Sequence, residues 1–153
     1  MQNAVRERTP VHLWIVGGLA ALWGAFGCYD YTMTRMRNTD YIASMMPGVD
    51  PQAVLNWVDG FPIWVAFGWG LGVWMGLAAA LLLLFRSRWA VPAQGLSLIG
   101  ALLGLGYQIM GGAEPLPGME DTMVNKLMPF IIIAIALGLF LYARAMANRG
   151  VLK

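Results

Sequence analysis

The residues that could do chemistry are few and scattered. Asp30 stands between Tyr29 and Tyr31, where a long apolar run ends. A carboxylate at membrane depth is costly and often marks a site, yet at the end of a span it could equally be an interfacial charge paired with Arg35 or Arg37. Gln108, next to Tyr107 late in another apolar run, could reach across to Asp30 or Tyr29; an interhelical hydrogen bond of this kind contributes about 1 kcal/mol in a membrane. His12 is the only histidine and Cys28 the only cysteine. One histidine cannot supply a bis-histidine haem or a three-histidine zinc site, and a lone cysteine forms neither an intrachain disulfide nor a thiolate cluster. His12 suits a solvated or headgroup-facing role. Thioethers suit Cu(I), but among Met33, Met36, Met45, Met46, Met119 and Met123 only the first two are closely spaced. No acid and base stand in a pattern that suggests catalysis, so we expect no enzyme, no catalytic residue, no cofactor and no metal.

The elements that must position these groups are apolar helices. Of the 153 residues 59% are hydrophobic and 12% charged, with a mean hydropathy of +0.62. A soluble domain carries about 25% charged residues to solvate its surface, so much of this surface must face lipid. A membrane helix needs about 20 apolar residues to cross a core ~30 Å thick. Stretches free of Asp, Glu, Lys and Arg run from Thr9 to Tyr29, Phe61 to Phe85, Trp89 to Ala113 and Leu127 to Ala143. They predict an all-α membrane protein, a single four-helix bundle over 1–153, with spans near 10–30, 62–85, 89–110 and 126–144 and outside loops at 31–61 and 111–125. Arg6, Arg8, Arg86, Arg88, Arg144, Arg149 and Lys153 fall on one side; Arg35, Arg37 and Lys126 fall on the other, with every acid except Glu7. The positive-inside rule then puts both termini in the cytoplasm. Phe26 is too bulky for a lipoprotein cleavage site before Cys28, so the first span is read as a retained helix. The basic residues form no stripe, which argues against nucleic acid.

The first outside loop carries its own signals. Asp30 to Arg37 extends the first helix, Pro47-Gly48 breaks the chain, and Asp50-Pro51 caps a short helix with Ala53, Val54, Trp57 and Val58 on one face. Trp57 suggests that this helix lies in the interface. The 111–125 segment is rich in Gly and Pro and reads as irregular. Arg86-Ser87-Arg88 is short enough to force an antiparallel hairpin.

Glycine marks the packing faces. Gly68, Gly72 and Gly76 recur at every fourth position, matched by Gly100 and Gly104 beside Ser97, by Ala20, Gly24 and Cys28, and by Ala134 and Gly138. Such stripes let backbones approach closely, within the bundle or against another protein's helix. Trp14 and Trp89 suit the inner interface, and Trp57 and Trp64 the outer one. Trp23, Trp69 and Trp74 lie deeper, and could pack or line a pocket for a lipid-like ligand such as a quinone or carotenoid.

Several motifs carry a resemblance: His12-Leu13-Trp14, Trp23-Gly24-Ala25-Phe26-Gly27, Asp30-Tyr31, Phe61-Pro62, Gly72-Val73-Trp74, Arg86-Ser87-Arg88-Trp89-Ala90-Val91-Pro92-Ala93 and Arg149-Gly150-Val151-Leu152-Lys153. Over most of its length the chain resembles a functionally uncharacterised family of short bacterial four-helix inner-membrane proteins, some of them labelled sugar transporter. The resemblance implies a bacterial inner-membrane location and brings no site residue with it. The expectation is a non-catalytic accessory or assembly subunit that docks onto a larger membrane complex through its glycine faces. The alternative is a small oligomeric transporter, or a carrier of a small or lipid-like ligand. Expected partners are the lipid bilayer and either other membrane subunits or further copies of the chain. The candidate polar site is Asp30, Tyr31 and Gln108.

Overall fold

The computed structural model describes residues 8–153 and is helical throughout, with no strand among the described residues. Arg6 and Glu7, used above in the charge balance, lie outside the described residues. Four helices are long and apolar enough to cross a membrane: α1 (Val11–Arg35), α4 (Ile63–Leu84), α5 (Ala90–Ile109) and α6 (Met123–Asn148). Two short ones, α2 (Thr39–Met45) and α3 (Pro51–Asp59), stand between α1 and α4. Only 17% to 33% of the residues in the apolar windows of the long helices are buried. Their outward faces are as apolar as their inward ones, which suits a lipid surround and no aqueous one.

Local chemistry sets the helix ends. Pro10 and Pro62 precede α1 and α4, where a missing N–H costs nothing. Asp50 accepts from the Gln52 N–H at 3.1 Å ahead of Pro51, the capping expected for α3. Asn38 caps α2 by accepting from the Tyr41 N–H at 2.9 Å. Thr122 caps α6 through Asn125, starting that helix before Lys126 and making it longer than its charge-free stretch. Inside α6, Pro129 removes the hydrogen bond that would reach the Asn125 carbonyl.

The long helices pack in the order α1–α4–α5–α6. The α4–α5 seam is the tightest, as the Arg86–Arg88 connection requires. A Cβ added at Gly100 would sit 2.6 Å from the Gly68 carbonyl oxygen and 2.7 Å from the Gly72 Cα, so the two backbones touch. Ser97 Oγ closes the seam by donating to the Gly72 carbonyl at 2.7 Å. The α1–α4 seam works the same way, with Gly24 against the Leu77 backbone and Cys28 Sγ donating to the Val73 carbonyl at 3.3 Å. Ala20, Gly24 and Cys28 are all buried, as their spacing suggested, and Gly17 is buried with them. The matching stripe expected on the fourth span does not form a seam. Gly138 faces open space and Ala134 is exposed, whereas α6 packs through Ala136, Ala143 and Met146.

The bundle closes at one end. Leu13, Leu83, Ala90, Ala143, Met146, Val151 and Leu152 form a buried cluster there. The chain after α6 folds back across the α4–α5 turn: Lys153 N donates to the Arg86 carbonyl at 2.7 Å, Arg88 N to the Lys153 carbonyl at 2.8 Å, and Arg86 Nε to the Val151 carbonyl at 3.1 Å. These bonds hold Arg86 at a φ of 59°, where the chain reverses.

Candidate functional site

At the other end the four long helices spread around a cavity of about 540 Å³. Its walls are residues of α1, α4, α5 and α6, and its roof comes from α3, Phe61 and the loop before α6. The space follows from the glycines. Gly68, Gly72, Gly76, Gly100 and Gly104 leave the α4–α5 seam without side chains, and all five border the cavity. Trp23, Phe26 and Trp69 supply aromatic wall, and Met46, Met119 and Met128 supply adaptable apolar surface.

The roof is pinned in three ways. Val54, Leu55 and Val58 are the buried residues of α3; Val54 and Leu55 cluster with Ile42 of α2 and Leu116 of the loop. Leu55 takes the place in this face that the sequence gave to Ala53. Trp57 Nε1 donates to the Glu114 carbonyl at 2.7 Å, fastening the loop to α3. Arg37 Nη1 pairs with Asp59 at 2.9 Å, fastening the far end of α3 to the turn after α1.

Few polar groups reach the cavity. Ser97 and Gln94 lie deep; Ser97 is bonded to the Gly72 carbonyl, and Gln94 Nε2 donates to the Ala136 carbonyl at 3.4 Å. Asp30, Gln108 and Asn125 line the outer part, and Asn125 Nδ2 donates to the Glu120 carbonyl. No Lys, Arg or His is among the lining residues. Asp30 does not bond Gln108 or Tyr29, and its partner is neither arginine. Tyr41 of α2 donates its O–H to Asp30 Oδ1 at 2.9 Å, while Arg37 is held by Asp59. Burial, then the hydrogen bond to Asp30 and the charge of that carboxylate, push the Tyr41 phenol up to about 12.

The other singled-out residues have separate places. Tyr31 is not among the lining residues; it packs edge-on against Trp69 at 4.8 Å between ring centres and covers Gly70. Tyr107 packs against Trp64 and Phe61. Trp14, Trp64, Trp74 and Trp89 have exposed rings, and so does Trp23, although it borders the cavity; of the three tryptophans expected to lie deep, Trp69 alone is half-buried on the cavity wall. His12 is not merely solvated: its Nδ1 lies 2.6 Å from the Tyr142 hydroxyl, joining α1 to α6 at the closed end. Among the described residues no three of His, Cys, Asp and Glu are grouped to hold a metal.

Sequence reasoning missed Gln94 and Tyr41. Gln94 carried a signal, an amide well inside an apolar span. Tyr41 carried none, because its meeting with Asp30 depends on the turn at Asn38. Comparison with protein-family models, curated proteins and solved structures returns no match.

Proposed function

We propose that this protein is a four-span protein of the bacterial inner membrane, with both termini cytoplasmic, that holds one small apolar or amphipathic molecule in the cavity of its outer half. It is a carrier or binding protein, and no residue in it is assigned a catalytic role. The observation that carries this reading is the cavity itself. Its volume of about 540 Å³ falls within the range of roughly 300–1,000 Å³ typical of small-molecule sites, and its wall is apolar with a few polar groups at one end. A sugar would need many donors and acceptors, which this wall does not offer.

The charges support the orientation. Arg86, Arg88, Arg149 and Lys153 gather at the closed end and the acids at the open one. Under this orientation α3 lies in the outer interface as a roof. Because α1 and α6 stand at the two ends of the packing order and meet at their inner ends, the cavity has no helix seam on that side and can be entered from the bilayer.

The test is binding of a neutral polyene alcohol such as retinol, in lipid nanodiscs, read by energy transfer from Trp23, Trp57 and Trp69. Saturable transfer at about one probe per chain, abolished by Ile132→Trp, supports the reading. Transfer that never saturates, or that Ile132→Trp leaves unchanged, contradicts it.

The accessory-subunit reading has a specific observation of its own, on α6. The α4 stripe is taken up by α5, but Gly138 faces open space on the helix with the lowest buried share. A partner helix would dock there. Gly138→Leu should release such a partner in gentle detergent, and retention of the complex would exclude this face.

A further inference from the structure

The cavity is apolar along its depth and polar at one end, so its occupant must have the same polarity. On α1, Ala20 borders the deep part and Asp30 the outer part, about 15 Å apart at 1.5 Å per residue. The deep polar groups, Ser97 and Gln94, are already bonded to backbone carbonyls. Among the described residues, the one charged group on the lining stands at the outer end, Asp30, with the Gln108 amide lining the same part. One Asp30 oxygen holds the Tyr41 hydroxyl, and among the described residues no basic group stands within 4 Å of the carboxylate. The basic residues nearest in sequence are Arg35 and Arg37, and Arg37 is held by Asp59.

A carboxylate at the edge of an apolar cavity is stabilised by a cation and opposes an anion. From this charge complementarity we propose that the cavity takes a single-chain amphiphile whose head is an ammonium group, with the nitrogen at Asp30 and the tail running inward past Trp23 toward Ala20. An ammonium donates to the free Asp30 oxygen and to the Gln108 amide oxygen, and a charge-assisted bond exceeds a neutral one. The volume fits one ligand of this kind, and a phosphate in the head would face Asp30. This inference rests on the carrier reading and adds the class of ligand to it.

The experiment uses the full chain in phosphatidylcholine nanodiscs and three probes that share one tail brominated near its end: a long-chain primary amine, alcohol and carboxylate. Bromine near Trp23 quenches its fluorescence. The amine should bind about tenfold more tightly than the alcohol, and the carboxylate more weakly than both. Asp30→Asn should bring amine and alcohol to equal affinity while alcohol binding persists. Equal affinities of the three probes for the unaltered protein would overturn the ammonium assignment and leave the carrier reading standing. Saturable binding of none of them would overturn both. Should Asp30→Asn fail to fold, the ranking on the unaltered protein decides by itself.

Discussion

The contact of α4 with α5 makes a sharp prediction, because three glycines, Gly72 on α4, Gly100 on α5 and Gly138 on α6, have very different surroundings. A methyl group at Gly100 would meet only backbone: the Gly68 carbonyl oxygen at 2.6 Å and the Gly72 Cα at 2.7 Å. Neither atom can rotate away, so Gly100→Ala must push the helices apart. Forced overpacking of this kind costs about 1–3 kcal/mol. At Gly72 the new methyl would stand 3.2 Å from the Ala101 nitrogen, a fit that a shift of a few tenths of an ångström relieves. At Gly138 it would meet nothing within 4 Å. All three substitutions gain the same helix propensity, about 1 kcal/mol for alanine over glycine, so comparing the variants isolates the clash. Gly100→Ala should therefore lie about 1–3 kcal/mol below Gly138→Ala, with Gly72→Ala between them. Reversible unfolding in mixed micelles of mild detergent and dodecyl sulfate, followed by tryptophan fluorescence, measures the difference. If Gly100→Ala and Gly138→Ala unfold at the same midpoint, the glycine seam is not what holds α4 to α5.

Three further outcomes follow from the site. A phenol raised to about 12 should appear as a late step in the alkaline absorbance titration and vanish in Tyr41→Phe. Its folded value lies above its unfolded value of 10.0, so this group's contribution is complete below pH 10 and fades as pH rises from there toward 12. Trp57→Phe keeps the ring but loses the bond to the Glu114 carbonyl; hydrogen exchange in the 111–122 loop should accelerate, with the long helices unaffected. Ser97→Ala should cost about 1 kcal/mol in the micelle assay, because it removes the bond to the Gly72 carbonyl while leaving the backbone contacts of Gly100 with Gly68 and Gly72 in place.

Much of the fold was legible because its signals are local or periodic. Charge-free runs marked the four long helices, Asp50-Pro51 marked α3, and four-residue glycine spacing marked the α4–α5 and α1–α4 seams. Where a feature depended on tertiary arrangement, the sequence was silent or misled. Gly138 has the spacing of a packing residue, but α6 is rotated so that Ala136 and Ala143 meet the neighbours. Asp30 was singled out as an acid at the outer end of the first span, yet its partner Tyr41 comes from α2, a helix held by an Asn38 cap within a polar loop. The cavity was the least legible feature, because a void is formed by residues that do not reach one another, and periodicity records only those that do.

Occupancy of the cavity can be measured most directly by native mass spectrometry of the chain released from gentle detergent, for the unaltered protein and for Ile132→Trp. A bound small amphiphile near one per chain, lost when the tryptophan fills the cavity while the helix content stays the same, is the predicted result. An unaltered protein that carries no adduct even after incubation with the long-chain amine or alcohol, or an adduct that survives Ile132→Trp, would contradict it.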